Sequence, residues 1–271
     1  MAIRSLMQQL QAVGCAFQFM TRVPVPVAIP FTPDVLARSV IYYPLVGAVI
    51  GGLLSGAGWL LAPVVPPMPA AVLLLTLWIG LSGALHLDGL MDTADGVLSH
   101  RSRERMLDIM KDSRVGAMGV MAAVLLLLFK FAMLAELQDG GSWMAAAPLI
   151  ASTCIFSRMG IVAAIKIWPF ARPGEGLASM FAGLRMRHFI GALLLHIAIV
   201  MGGYALFGIS LSKLLLIIFI QTAITLIVGL IVNVWLTRKL GGLTGDTYGA
   251  LNELLEAVLL LAVLWLLPLL H

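Results

Sequence analysis

Asp88, Asp92 and Asp95 stand within eight residues of one another where a long apolar run ends, in Leu85-His86-Leu87-Asp88-Gly89-Leu90-Met91-Asp92-Thr93-Ala94-Asp95-Gly96. On a helix they occupy i, i+4 and i+7 and share one face, while His86 lies about 160° away. Three like charges on one stripe disfavour the helix that carries them, unless a cation sits among them or some are protonated. Hard carboxylate oxygens suit Mg²⁺, which is commonly held by one or two carboxylates while substrate phosphates and water complete its octahedron. The other reading is that these acids cap the wet end of a membrane helix.

Bases that could face such an ion follow in the chain. His100 to Arg114 is the longest charged segment, and Lys111 and Arg114, one turn apart, could grip a diphosphate where Gly116 and Gly119 let backbone approach closely. Its alternative is a solvated helix with Arg105/Asp108 and Asp108/Lys111 ion pairs. No Walker A or G-x-G-x-x-G pattern accompanies these bases, so this is not an ordinary nucleotide loop. Arg22, at the end of an N-terminal helix, could reach a phosphate at the membrane surface. Arg158 lies inside an apolar run, about 10 Å from its inner end, where it could neutralise an aspartate or touch phosphate. Lys130 lies deeper and takes no role from the sequence.

A second acidic motif occurs near the end, in Gly241-Gly242-Leu243-Thr244-Gly245-Asp246-Thr247-Tyr248-Gly249-Ala250-Leu251-Asn252-Glu253. If its helix begins at Thr244, a natural N-cap, Asp246 and Glu253 at i and i+7 face the same way. Asp246 could complete a metal site with Asp88, Asp92 and Asp95 or orient an attacking hydroxyl. Glu253 or His86 could accept its proton, with Asp112 and Asp246 as further candidates.

The elements that must position these residues are membrane helices. The 271 residues are 61% hydrophobic and 11% charged, far from the roughly 25% charged of soluble domains. Runs of about 20 apolar residues cross the hydrocarbon as helices. Seven fit: Val40 to Leu61, Pro69 to Leu87, Ala117 to Leu137, Met144 to Ile165, Phe189 to Phe207, Leu214 to Leu236 and Leu254 to Leu270. Continuous runs without period-2 alternation exclude a β-barrel. The expected architecture is all-α, a polytopic bundle of about seven transmembrane helices forming a single catalytic domain over 1–271. Its inner loops fall at about 88–116, 166–188 and 237–253.

Residues 1–26 precede the bundle. Gln8, Gln9, Gln11 and Gln18 interrupt any signal-peptide core, while Leu6, Leu10, Val13, Phe17 and Met20 form one apolar stripe. The pattern is that of an interfacial amphipathic helix on the lipid bilayer, stopped by Pro24 and Pro26. In the first span, Gly47/Gly51 and Gly52/Gly56 match small-xxx-small packing. The loop 166–188, with Pro169, Arg172, Pro173, Gly174 and Gly176, is a connector or a segment that closes over a ligand.

Charge placement sets the orientation. With the N-terminus cytoplasmic, all of the 17 Lys and Arg except Lys130, Arg158 and Lys213 fall on the cytoplasmic side. The net charge of +4 therefore reports topology and not nucleic acid. Cys15 and Cys154 have no metal or redox spacing and read as small hydrophobes. Nothing in the chain fixes a homo-oligomeric state.

Four motifs together resemble the cobalamin synthases, also called adenosylcobinamide-GDP ribazoletransferases. They are Phe19-Met20-Thr21-Arg22-Val23-Pro24-Val25-Pro26, His86-Leu87-Asp88-Gly89-Leu90 with Asp92-Thr93-Ala94-Asp95-Gly96, Lys111-Asp112-Ser113-Arg114 with Gly116 and Gly119, and Thr244-Gly245-Asp246 with Gly249. They occur in the family's order and cover essentially the whole chain. The resemblance implies a bacterial inner-membrane, Mg²⁺-dependent enzyme that joins adenosylcobinamide-GDP to α-ribazole or α-ribazole 5′-phosphate and releases GMP. Composition and spacing identify no corrinoid. They support a narrower statement: carboxylates and cations on one membrane edge, suited to phosphoryl chemistry.

Two rival classes remain. CDP-alcohol phosphotransferases and membrane prenyltransferases also place spaced aspartates at helix ends. The former carry an Ala-Arg pair that Asp88-Gly89-Leu90-Met91-Asp92-Thr93 lacks, and the latter usually have two Asp-rich motifs where this chain has Asp246 alone. A transporter would show internal repeats and charges near mid-membrane, whereas most charges here gather at one surface.

Overall fold

The computed structural model describes residues 2–139 and 143–270 as a bundle of helices, named α1 (Ala2–Met20), α2 (Pro33–Ser39), α3 (Tyr43–Leu61), α4 (Pro67–Ser82), α5 (Leu85–Val97), α6 (Arg103–Ile109), α7 (Ala117–Asp139), α8 (Trp143–Ile167), α9 (Gly176–Ser179), α10 (Met186–Leu206), α11 (Leu211–Leu240) and α12 (Gly245–Leu266). Among the described residues six helices are long and apolar enough to cross a membrane, and α4 with α5 forms a bent pair that brings the number to seven when counted as one span. Exposed Leu125, Leu194, Phe219 and Leu226 on α7, α10 and α11 give the bundle an apolar exterior, as a lipid solvent requires.

The bundle is built around α8, which is buried on nearly every side. Its closest neighbour is α3, and glycine explains the approach. A Cβ on Gly47 would lie 2.3 Å from the Cys154 carbonyl oxygen, one on Gly51 2.5 Å from the Ala151 Cα, and one on Gly58 2.0 Å from the Trp143 ring. Lipid supplies no hydrophobic force between helices, so such backbone contact is what holds the pair. The expected Gly47/Gly51 pairing is present; Gly52 and Gly56 instead face open space. Polar bonds add to the packing: Ser55 Oγ donates to the Ala147 carbonyl at 2.9 Å and Trp143 Nε1 to the Ser55 carbonyl at 2.8 Å. On the other side of α8, Tyr204 of α10 donates to Gln221 of α11 at 2.8 Å, and Gln221 donates to Ser152 at 2.7 Å.

The N-terminal helix differs from its expected single stripe. Leu6, Met7 and Leu10 are exposed, while Ala12, Cys15, Ala16 and Met20 are buried against the bundle. Small residues at 12, 15 and 16 let the second half of α1 pack on protein, which leaves only its first half an apolar face to the surroundings. Gln18 then ties down the turn that follows, donating to the carbonyls of Val25 and Val27.

The second expected span, Pro69 to Leu87, is broken. Helix α4 stops at Ser82, Gly83 and Ala84 both take left-handed conformations with φ near +60°, and α5 leaves at 87° to α4. Arg22 holds the corner. Its amide donates to the Leu81 carbonyl at 2.8 Å and its side chain lies where a Cβ on Gly83 would be, 2.3 Å from Nε. The aspartate helix is therefore turned across the end of the bundle instead of ending a straight span.

Candidate functional site

Helix α5 carries the aspartates, and glycine decides what it meets. At the crossing with the first turns of α12, a Cβ on Gly89 would lie 2.7 Å from the Asp246 carbonyl oxygen, and one on Gly249 3.0 Å from the His86 carbonyl oxygen. Backbone touches backbone, so the two acidic motifs, more than 150 residues apart in sequence, come together. Thr244 caps α12 as expected, its Oγ1 accepting from the Thr247 amide and donating to Asp246 Oδ2 at 3.2 Å.

The result is an acidic cluster of exposed Asp88 with half-buried Asp92 and Asp246. Helix α5 lies outside the straight spans, and the Asp92 carboxyl is pushed up to about 7, first by burial and then by the charges of Asp88, Asp246 and Asp95. No ion pair among the described residues involves Asp88, Asp92, Asp95 or Asp246.

Asp95 has a different employment. Its carboxylate accepts from the amides of Gly116 at 2.6 Å and Gly119 at 2.8 Å, and so caps the N-terminus of α7. Any side chain at 116 or 119 would collide with it, since a Cβ there would lie 2.4 or 2.5 Å from an Asp95 oxygen. The glycines expected to admit a phosphate admit Asp95.

Other expected residues are placed apart. Lys111 is exposed and pairs with Glu175 at 3.3 Å, across two loops, rather than with Asp108. Exposed Arg114 folds back on Asp112 through two hydrogen bonds, which hold the Asp112 carboxyl down at about 2. Arg158 does not reach the aspartates: it is fully buried, ion-paired with Glu256 and hydrogen-bonded to Ser157. Glu253 is also withdrawn. It lies 2.6 Å from Lys130 Nζ, which bridges to Glu256 at the same distance and sits 4.4 Å from the centre of the Trp78 ring. Lys130, Arg158, Glu253 and Glu256 thus form a neutral buried quartet joining α7, α8 and α12. Its signal in the sequence was that Lys130 and Arg158 stand inside apolar runs, where a base needs an acid, and that Glu256 stands inside another, one turn from Glu253. Glu256 was the member missed.

Three loops converge around the cluster. Leu243 and Phe170 form a short parallel bridge, with Leu243 donating to the Pro169 carbonyl at 2.8 Å and Ala171 to the Leu243 carbonyl at 2.9 Å. Arg103 donates to the carbonyls of Leu240 and Ala171, and Arg172 to that of Leu107. Arg172 is also the base whose charge acts on Asp246, a placement that sequence reasoning did not single out. Beside Asp88 and Asp246 opens a cavity of about 130 Å³, walled in part by Phe19, Tyr43, Phe181 and Tyr248, and bordered by His86.

The cluster fits a hard divalent cation in one specific way. No three acidic, histidine or cysteine side chains among the described residues converge to hold an ion unaided. Mg²⁺ usually takes one or two protein carboxylates and completes its shell with water and phosphate oxygens. Asp88 and Asp92, one helical turn apart and in no ion pair among the described residues, supply that number, and the resistance of Asp92 to ionisation is what a bound cation would relieve.

Known proteins resemble this chain over nearly its whole length. The family model of cobalamin-5-phosphate synthase matches residues 12–264, which includes every acid and glycine of the crossing. A protein of Brevibacillus brevis named adenosylcobinamide-GDP ribazoletransferase is 40% identical over 92% of this chain and 95% of its own length. Proteins of the same name from Roseiflexus (40%, over 92% of this chain and 87% of theirs) and Pseudomonas paraeruginosa (42%, over 94% and 98%) are similar throughout. No solved structure matches the chain. With motifs, helices and nearly full-length likeness in accord, the chain belongs to the cobalamin-5-phosphate synthase family.

Proposed function

We propose that this protein joins adenosylcobinamide-GDP to α-ribazole or its 5′-phosphate, a reaction of cobalamin biosynthesis, releasing GMP. The relatives' names supply the substrates. The observation that carries the assignment to a place is the Gly89–Asp246 crossing, which sets Asp88, Asp92 and Asp246 at one end of the helix bundle. The basic loops 99–116 and 168–185 lie at the same end; the distribution of Lys and Arg supports a cytoplasmic placement of that end, and the likeness to the family supports a bacterial inner membrane.

The chemistry is a displacement at phosphorus. A hydroxyl oxygen of ribazole bonds to the cobinamide-side phosphorus, and the bond from that phosphorus to the oxygen bridging to GMP breaks. Mg²⁺ held by Asp88 and Asp92 would neutralise phosphate charge and favour departure of GMP. Asp246 borders the cavity with one oxygen fixed by Thr244; it orients the attacking hydroxyl and takes its proton. Arg172, near Asp246, and Arg22, at the α4–α5 corner, offer guanidinium groups to the diphosphate, with Lys111 and Arg114 on the exposed approach.

Glu253 is not the base in this reading, because Lys130 engages it inside the bundle. Purified protein should release GMP only when the GDP-activated corrinoid, ribazole and Mg²⁺ are all present. Corrinoid movement across vesicles without GMP release would replace this reading with a transporter.

A further inference from the structure

The cavity beside the aspartates has features that phosphoryl transfer does not use. Phe19 and Tyr43 each meet Phe181 edge-to-face, with ring centroids 5.7 and 6.5 Å apart. The three rings come from three separate segments: the end of α1, the start of α3 and the turn after α9. Tyr248, from α12, adds a fourth, and Ile161 and Ile165 of α8 close the floor. The pocket's 130 Å³ is on the scale of a cavity that accepts a single aromatic ring. Three polar atoms on its lining residues, Nδ1 of His86 and the hydroxyl oxygens of Tyr43 and Tyr248, are buried without a partner among the described residues. Buried polar atoms left unpaired are costly, and a ligand that pairs them recovers that cost.

We propose that this cavity binds the flat aromatic base of the acceptor nucleoside, stacked among Phe19, Tyr43 and Phe181 and hydrogen-bonded by Tyr248 and His86. This rests on the reading of the protein as a ribazoletransferase and adds to it which substrate sits where. Stacking is sequence-tolerant and suits any base, but the polar complement discriminates. Guanine displays several donors and acceptors on its edges, and walls that are mostly aromatic and aliphatic, with polar side chains only at Tyr43, His86, Asp88, Asp246 and Tyr248, would leave some of them unpaired. A base with few polar atoms suits it better. Asp88 and Asp246 border the cavity, so a base seated here would set its sugar beside them and leave the guanosine of the donor outside.

The test is steady-state kinetics of the full-length protein in detergent or vesicles, with ribazole and the GDP-activated corrinoid varied separately. Tyr248→Phe removes one hydroxyl and keeps the ring. Its KM for ribazole should rise about tenfold while its KM for the donor stays within about twofold. The free base of ribazole, lacking the sugar, should inhibit wild-type protein competitively against ribazole and not against the donor; this arm needs no variant to fold. Free guanine competing with the donor through this pocket, with relief in Tyr248→Phe, would overturn the assignment, as would an unchanged ribazole KM with no inhibition by the free base. Wild-type protein that never consumes ribazole would refute the parent reading instead, so the two failures are distinct.

Discussion

Gly89 lies against Asp246 so closely that a single added methyl would sit 2.7 Å from the Asp246 carbonyl oxygen and 3.0 Å from its Cα. Neither neighbour is a side chain that can swing away. Gly89→Ala should therefore push α5 off α12, at a cost of about 1–3 kcal/mol in stability, and spread the acids on the two helices. Because displacements of about 1 Å at a reacting centre can cost about 10²-fold in rate, turnover should fall by that order while the protein still inserts and purifies. Rates of GMP release alongside thermal unfolding separate the two effects.

Asp95 should behave unlike its neighbours. It caps α7 through two amides, so Asp95→Ala removes about 1 kcal/mol of helix capping. Asp95→Asn keeps one of the two acceptor oxygens and should restore only part of that stability. Thermal unfolding of the two variants checks this: equal losses would mean that the capping geometry is not what Asp95 contributes.

The buried quartet is structural. Glu256→Ala leaves Arg158 without its carboxylate and Lys130 with one partner, and removal of one member of a buried charge group costs about 3–5 kcal/mol. Glu136→Ala, at an exposed position on the same α7 that carries Lys130, should change stability little. The comparison is the yield and unfolding temperature of the two variants in the same detergent.

The pH dependence follows from Asp92. Its carboxyl is raised to about 7, above the ordinary range, so its ionisation costs the cation-free protein stability that is present at low pH and lost as pH rises through about 7. A divalent cation must displace that proton. Mg²⁺ should accordingly raise the unfolding temperature more at pH 8 than at pH 6, and Asp92→Asn should remove the difference between the two pH values.

How much of this was legible in the sequence depends on how far each cause lies from its effect. Apolar length disclosed the helices, because lipid demands long uncharged runs, and helical spacing put Asp88, Asp92 and Asp95 on one side of α5. The break at Gly83 and Ala84 was not legible, since the apolar run passes through it and the corner depends on Arg22, some 60 residues away. The role of Asp95 was hidden for the same reason: its amide partners lie 21 and 24 residues downstream. Loop assignment puts Asp246 on the same side as Asp88, but only the Gly89 and Gly249 contacts reveal that it touches α5. Arg158 and Glu253 were misdirected toward the site because each buried charge was considered without its partner.

The most direct test is the rate of GMP release by Asp92→Asn and Asp88→Asn at saturating Mg²⁺, ribazole and GDP-activated corrinoid, in protein whose unfolding temperature matches wild type. Loss of at least about 10²-fold in both is expected if these carboxylates hold the ion at the diphosphate. Near wild-type turnover in either variant would contradict the account.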